Sequence, residues 1–176
     1  MTKKYIFETE HLAVRKFEPD DAKRLYEIHN DDAVKKWIPG EYYKDIDEAQ
    51  ESIEFFANCV KKKKMPYVLA VVLKETGELI GDTGVNEVEG KTEEVEIGFV
   101  ISREYRGKGY ASEVIKRMTD YIIIHSFGIK VLYGRVMKGN EASVRVLEKN
   151  GYNFVGEEYG AEDDPYGNGM LIYKKE

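Results

Sequence analysis

The sequence is poor in cysteine and histidine, and this excludes two kinds of site. Cys59 is the single cysteine, so no internal disulfide can form. Its apolar neighbours predict a small buried side chain on the core face of a helix rather than a nucleophile. His11, His29 and His125 are scattered and lack the paired spacing of a zinc site. We therefore expect no metal cofactor.

Long hydrophobic segments and an excess of basic charge are also missing. No apolar run approaches the roughly 18 residues that a membrane helix needs. Residues 1–17 lack the apolar core of a secretion signal. The formal net charge is -6, whereas nucleic-acid binding needs a concentrated basic surface. We expect a cytoplasmic protein with no membrane or nucleic-acid partner, and the charge mildly favours a cationic one. The oligomeric state stays open between monomer and homodimer.

What remains is the composition of an ordinary globular chain. Of 176 residues, 42% are hydrophobic and 34% are charged, which suits one domain with a well-buried core. No internal repeat, linker or low-complexity tract interrupts the chain. We predict a single domain over residues 1–176.

Hydrophobic spacing predicts most of the secondary structure. The expected strands cover residues 11–17, 67–73, 79–87, 94–101, 131–137, 152–159 and 170–174. The expected helices begin near Pro19, Ala33, Asp45, Tyr110 and Asn140. Short turns make residues 66–101 an antiparallel meander. We also expect residues 125–128 to end the fourth helix and residues 161–169 to form an acidic turn. The predicted fold class is α/β of the α+β type, with a mixed, mostly antiparallel sheet of about six or seven strands flanked by helices.

The segment from Glu94 to Arg117 carries the clearest chemical pattern. Its strand alternates between a core face and a face that bears Glu96. A turn with two glycines and two cations follows, and then an amphipathic helix begins. Glycines let a ligand approach the backbone, and unpaired N–H groups at a helix N-terminus attract phosphate. The turn therefore predicts a site for a phosphate-bearing cofactor. Its residues are Arg106, Gly107, Lys108, Gly109, Tyr110 and Ala111.

Other glycine motifs fit this turn poorly. The chain has no Gly-x-x-x-x-Gly-Lys-Ser/Thr, and the turn lacks the third glycine of the dinucleotide fingerprint. A general nucleotide-phosphate binder is thus disfavoured. The turn instead fits Arg/Gln-x-x-Gly-x-Gly/Ala and resembles the acetyl-CoA site of the GNAT acetyltransferase superfamily. The whole chain is similar to its RimJ/RimL-like branch.

A second motif strengthens the resemblance. Residues 140–152 are similar to the family's Asn-x-x-Ser/Ala helix that ends in Gly-Phe/Tyr. Helix capping by Asn140 and a helix stop at Asn150 and Gly151 would explain the same residues without any function. The coincidence with the first motif favours the functional interpretation.

The resemblance implies a GNAT-like domain that moves an acetyl group from acetyl-CoA to a primary amine by direct attack in a ternary complex. The acceptor, a protein N-terminus or a small amine, stays open. By resemblance, the backbone of Phe99, Val100 and Ile101 binds pantetheine, and the N–H groups of residues 106–111 bind pyrophosphate. Candidates for the remaining phosphate are Arg103, Arg106, Lys108 and Lys149.

The expected catalytic residues are Glu96, Ser143 and Asn140. A base is needed because a lysine-like amine has a pKa near 10.4. Glu96 is the first candidate, acting through water, and Glu87 is the alternative. Many superfamily members carry a tyrosine acid seven residues after the motif asparagine, where this chain has Leu147. The resemblance then assigns Ser143 to the departing sulfur, and Asn140 to orienting pantetheine or the acceptor, so that both also count as cofactor-binding residues.

Two questions stay open at this point. Leu147 also favours a CoA-binding sensor or regulatory module with little or no turnover. The region before the third helix forms the acceptor wall in the superfamily, so Trp37, Tyr42 and Tyr43 are candidate contacts with the substrate. The alternative for Trp37 is a plain core position.

Overall fold

The computed structural model describes residues 4–124, 128–160 and 169–176. The strands are β1 (Phe7–Glu8), β2 (Leu12–Arg15), β3 (Tyr67–Leu73), β4 (Leu79–Glu87), β5 (Glu94–Ile101), β6 (Val131–Met137), β7 (Asn153–Glu158) and β8 (Met170–Lys175). The helices are α1 (Ala22–His29), α2 (Asp32–Trp37), α3 (Ile46–Lys61), α4 (Tyr110–Ile124) and α5 (Glu141–Lys149). His125, and the predictions for residues 125–127 and 161–168, lie outside the described residues.

The described strands form one mixed sheet in the order β1-β2-β3-β4-β5-β6-β8-β7. The expected antiparallel meander of β3, β4 and β5 is confirmed. The fold class is confirmed too, but the expected count of six or seven strands is wrong, since the described residues form eight. The additional strand is β1, which pairs Phe7 with Val14. Two residues are too few for any alternation to show in the sequence.

The sheet opens in its middle, between β5 and β6. These strands are parallel, and their pairing covers only Glu94–Glu96 and Val131–Tyr133. Alternate residues of a strand point their N–H and C=O groups to the same neighbour, and Ser102 N donates to Ile80 O on the β4 side. The backbone groups of Phe99 and Ile101 therefore face the gap that opens beyond the paired segment.

Helices cover both faces of the sheet. On one face α4 and α5 pack against β5 and β6, with a core that includes Val95, Met118, Leu132 and Leu147. On the other face α1 and α3 contribute Leu25 and Ile53 to a second core with Ala70, Val72 and Val100. Cys59 is fully buried, which confirms the expected small core side chain.

Short polar side chains fix the starts of three helices. Asp31 Oδ1 accepts from Ala33 N at 2.7 Å, and Asp45 Oδ1 accepts from Glu48 N at 2.8 Å. Asn140 caps α5, as predicted. Within the described residues, no helix is both long and apolar enough to cross a membrane.

Candidate functional site

The glycine turn before α4 has the geometry of an anion site. Gly107 and Gly109 adopt φ values of +77° and +84°, in the left-handed region that favours glycine. A Cβ atom added to either residue would meet nothing within 4 Å, so the backbone here borders open space. Glu113 N makes the first i to i−4 bond of the helix, to Gly109 O at 3.0 Å. The N–H groups before it have no acceptor within the helix and are available to an anion.

A cavity of about 520 Å³ lies beside this turn. We call it the turn cavity; α2, the end of β5, the turn and α5 form its walls. The predicted cofactor-binding residues that line it are Phe99, Val100, Ile101, Arg106, Gly107, Gly109, Tyr110, Ala111, Asn140, Ser143 and Lys149. The turn and the second motif are separated in sequence by residues 112–139, and yet they border one space.

The predicted phosphate-binding cations separate into two groups. Lys149 lines the turn cavity, together with Arg145, which sequence reasoning missed. Their i, i+4 spacing on α5 places both on one helix face and was the available signal. Arg103 lines a separate surface cavity, and the ammonium of Lys108 lies over the Tyr105 ring, 5.5 Å from its centroid. The cations that line the turn cavity are thus Arg145 and Lys149 of α5 and Arg106 of the turn.

Arg106 is held by the fold. Its Nε donates to Ile101 O at 2.9 Å, and its Nη1 lies 3.3 Å from Asp31 Oδ2. Asp31 is also the cap of α2. The side chain of Arg106 therefore ties the turn to the end of β5 and to the start of α2.

The start of α4 is fixed against its neighbours. Glu113 Oε1 accepts from Thr9 Oγ1 at 2.5 Å and from His11 N at 2.8 Å. Asn150 Nδ2 donates to Ser112 Oγ at 3.1 Å and so joins the end of α5 to the start of α4. This bond joins the second motif to the helix that follows the glycine turn.

A second cavity, of about 340 Å³, lies over β4 and β5. We call it the sheet cavity. The strand register places Asp82 opposite Val100, Gly84 opposite Gly98, and Asn86 opposite Glu96. Between these polar ends the floor is bare at Gly98, where an added Cβ would meet nothing within 4 Å, whereas the side chain of Val68 lies against Gly84. The other polar residues on its walls are His29, Glu41, Tyr43, Arg135, Asn140 and Ser143.

Glu96 lies on the wall of the sheet cavity and is half-buried. Burial raises the pKa of its carboxyl; Arg135 opposes this shift, and the negative charges of Glu158 and Glu41 add to it. A carboxylate with a raised pKa is a better proton acceptor than an exposed one. Glu87, the alternative base, is exposed and lines neither the turn cavity nor the sheet cavity.

Asn140 and Ser143 lie where the two cavities meet. Asn140 Nδ2 donates to Ser143 Oγ at 3.1 Å, and Ser143 N donates to Asn140 Oδ1 at 3.4 Å. Leu147, one turn further, is 2% exposed and packs on Gly134, where a Cβ would lie 2.6 Å from Leu147 Cδ1. The hydroxyl nearest the junction on α5 is therefore that of Ser143.

The two cavities share a wall. The residues that line both are Trp37, Ile38, Phe99, Val100, Asn140 and Ser143. Trp37 is thus half-buried at the junction rather than in the core alone. Tyr43 lines the sheet cavity, whereas Tyr42 is 49% exposed and lines neither. A group held in one cavity can reach a group held in the other.

Sequence reasoning also missed a buried polar pair in the sheet cavity. His29 Nε2 lies 2.5 Å from Asp82 Oδ2, and His29 Nδ1 lies 2.6 Å from Glu41 O. Asp82 interrupts a strand of apolar and small residues, which was a signal. No local pattern connects it with His29, because 53 residues separate them. Among the described residues, no group of three or more His, Cys, Asp or Glu side chains could hold a metal ion.

The mixed sheet, its opening between β5 and β6 and the glycine turn beside that opening agree with the acetyltransferase fold that the two motifs predicted. Residues 11–153 match the family model described as an acetyltransferase (GNAT) domain. The chain belongs to the GNAT acetyltransferase family, which confirms the expectation from the two motifs.

Individual relatives agree with this assignment. The uncharacterized N-acetyltransferase p20 of Bacillus licheniformis is 30% identical over 139 residues, 79% of this chain and 77% of that protein. The putative ribosomal N-acetyltransferase YdaF of Bacillus subtilis is 29% identical over 174 residues, 93% of this chain and 90% of that protein. The structure of RimL, a ribosomal alpha-N-protein acetyltransferase in complex with coenzyme A, shares the fold with a TM-score of 0.80 over 97% of each chain at 16% identity. The expected RimJ/RimL-like relationship is confirmed.

Proposed function

We propose that residues 1–176 act as one N-acetyltransferase domain that transfers an acetyl group from acetyl-CoA to a primary amine in a ternary complex. The junction between the turn cavity and the sheet cavity carries this proposal. It gives the donor and the acceptor separate sites that meet at Asn140 and Ser143. The RimL structure, a complex with coenzyme A, supports the choice of donor.

The chain offers a partner for each part of acetyl-CoA, whose activated thioester supplies the acetyl group. The N–H groups of residues 107–112 would hold the pyrophosphate at the start of α4. Arg145 and Lys149 would meet the remaining phosphate. The backbone groups of Phe99 and Ile101 that face the gap would hold the pantetheine arm. Ile101 O already accepts from Arg106, so its N–H is the free group of that residue.

The transfer forms a bond from the amine nitrogen to the acetyl carbon and breaks the bond from that carbon to sulfur. Glu96 takes the amine proton through a water molecule, because its raised pKa favours proton uptake. The Ser143 hydroxyl donates a hydrogen bond to the departing sulfur. A thiol has a pKa near 8.5, so the thiolate leaves readily and needs only this modest support.

Ser143→Ala is expected to lower kcat about tenfold, in line with one lost hydrogen bond to a charged group. The affinity for acetyl-CoA should change by less than about threefold, because the turn keeps its N–H groups. Ser143→Thr keeps the hydroxyl and should keep most of the activity. Steady-state thiol release and calorimetry measure the two quantities. Wild-type turnover in Ser143→Ala would remove the proposed role of this hydroxyl.

Leu147 at the family's tyrosine position supports a second candidate, a CoA-binding sensor with little or no turnover. Release of free thiol from acetyl-CoA across small amines, polyamines and N-terminal peptides separates the two. If the protein is an enzyme, we expect rapid thiol release with at least one class of amine. That class then identifies the acceptor as a small molecule or a protein N-terminus. Acetyl-CoA binding without thiol release for any amine would favour the sensor.

A further inference from the structure

We infer that Asp82, held in place by His29, binds the acceptor amine inside the sheet cavity. Its carboxylate accepts a hydrogen bond from one N–H group of the amine. The inference rests on the proposed function and adds a substrate-binding residue to it. Its basis is the position of Asp82, the free oxygen of its carboxylate and the way in which His29 is anchored.

Asp82 lies beside the junction of the two cavities. Val100 lines both cavities, and Asp82 is its direct partner across the β4–β5 ladder. Such partners have Cβ atoms about 5 Å apart and side chains on the same face. Glu96 lies four residues along β5, about 13 Å from Val100 at strand spacing. Gly98, where an added Cβ would meet nothing within 4 Å, lies between the two carboxylates.

His29 fixes the orientation of this carboxylate. The imidazole is 3% exposed, and both of its nitrogens face acceptors, the Glu41 carbonyl and Asp82 Oδ2. A ring with an acceptor at each nitrogen donates at both when it is protonated. Burial alone would lower the pKa of His29, but the charge and hydrogen bond of Asp82 outweigh it and raise the pKa. His29 thus acts as a positioning residue.

The carboxylate of Asp82 retains an unused oxygen. His29 occupies Oδ2, and Oδ1 has no hydrogen-bond partner among residues 4–124, 128–160 and 169–176. The side chain lines the cavity, so Oδ1 can accept from a ligand there. A hydrogen bond to a carboxylate is about twice as strong as one to a neutral acceptor.

A buried ion pair elsewhere in the fold shows what a purely structural pair looks like. Arg15 donates through Nη1 to Asp21 Oδ2 at 2.7 Å and through Nη2 to Asp21 Oδ1 at 2.9 Å. Glu18 N also donates to Asp21 Oδ2, at 2.8 Å. Both oxygens of Asp21 are occupied, and Asp21 lines neither cavity. Asp82 differs in both respects, which points to a ligand.

This arrangement suits a primary amine. A neutral primary amine has two N–H groups, one for Asp82 Oδ1 and one for the water that leads to Glu96. The nitrogen lone pair is then free to attack the acetyl carbon. An N-methyl amine has a single N–H and cannot make both contacts. The pair therefore provides a chemical reason for selecting primary amines, in addition to cavity size.

The test compares Asp82→Asn and Asp82→Ala with the control Asp21→Asn. With the amine that wild type acetylates, KM should rise about tenfold in Asp82→Asn and about a hundredfold in Asp82→Ala. Because Asp82 binds the amine rather than moving its proton, kcat should change by less than about threefold. Affinity for acetyl-CoA, measured by calorimetry, should stay at the wild-type value and also reports correct folding. Asp21→Asn should lower the melting temperature and leave KM unchanged.

A second measurement uses the N-methyl form of the same amine. The wild-type preference for the primary amine, as a ratio of kcat/KM values, should fall in Asp82→Ala and persist in Asp21→Asn. An unchanged KM in an Asp82 variant that still binds acetyl-CoA would overturn the inference. An equal rise of KM in Asp21→Asn would do the same. A different result would refute the proposed function: a wild-type chain that releases no thiol from acetyl-CoA with any amine. The inference about Asp82 would then be refuted as well.

Discussion

Gly109→Val is expected to abolish acetyl-CoA binding, with the affinity reduced at least about a hundredfold. The reason is that hydrogen bonds from backbone N–H groups to the phosphates contribute much of the binding free energy. Gly109 has φ +84°, which costs a β-branched residue about 1–2 kcal/mol. Its Cβ would also project into the space that the phosphate has to enter, since nothing else lies within 4 Å of that position. Isothermal calorimetry with acetyl-CoA measures the loss.

Gly90→Val is the matched control. Gly90 also has a positive φ, of 75°, and open space at its Cβ, but it lies in the turn between β4 and β5. The same backbone strain should lower the melting temperature and leave acetyl-CoA binding intact. Wild-type affinity in a folded Gly109→Val protein would show that the turn does not hold the cofactor. Absence of binding to the wild-type chain would refute acetyl-CoA as the donor.

Glu96→Gln is expected to lower kcat by about 10²–10⁴, the usual contribution of a general base. Glutamine keeps the shape and removes the proton acceptor. Affinity for acetyl-CoA should stay near the wild-type value, because Glu96 lines the sheet cavity and not the turn cavity. Glu87→Gln changes the alternative carboxylate, which is exposed outside both cavities, and should leave kcat unchanged.

The pH profile gives an independent check on Glu96. A base works when it is deprotonated, so wild-type kcat should fall as the pH drops through the pKa of Glu96. Burial raises that pKa, and the fall should therefore occur above the ordinary range of a glutamate. The residual kcat of Glu96→Gln should not show this fall at low pH. A wild-type kcat in that variant, or a loss of activity in Glu87→Gln, would move the base elsewhere.

Local patterns predicted the elements of the fold better than their arrangement. Strands β3, β4, β5 and β6 and the start of α5 match their predicted bounds, because hydrophobic alternation and helix caps depend on neighbouring residues. The short pairing of β5 with β6 could not be predicted in this way. This pairing depends on contacts between β5 and β6, which are separated in sequence by the whole of α4. No local spacing encodes such contacts.

In the candidate site, too, the local motifs were predictable and the contacts between distant residues were not. The glycine turn and the helix from Asn140 are local motifs, and the sequence predicted that they form one site. The pairing of His29 with Asp82 joins α1 to β4 and had no local signature. The charges on the turn were likewise visible in the sequence. The hydrogen bond of Arg106 to Ile101 and its ion pair with Asp31 were not. Side-chain partners depend on the folded arrangement of distant elements.

The wall shared by the turn cavity and the sheet cavity has a thermodynamic consequence. Trp37 and Ile38 border both spaces, and Arg106 ties the helix that carries Trp37 to the glycine turn. The proposed donor and acceptor would contact the same side chains, so we expect their two dissociation constants to be linked. Linkage requires the coupling to be reciprocal. Whatever factor acetyl-CoA applies to the affinity for the amine, the amine must apply to the affinity for acetyl-CoA.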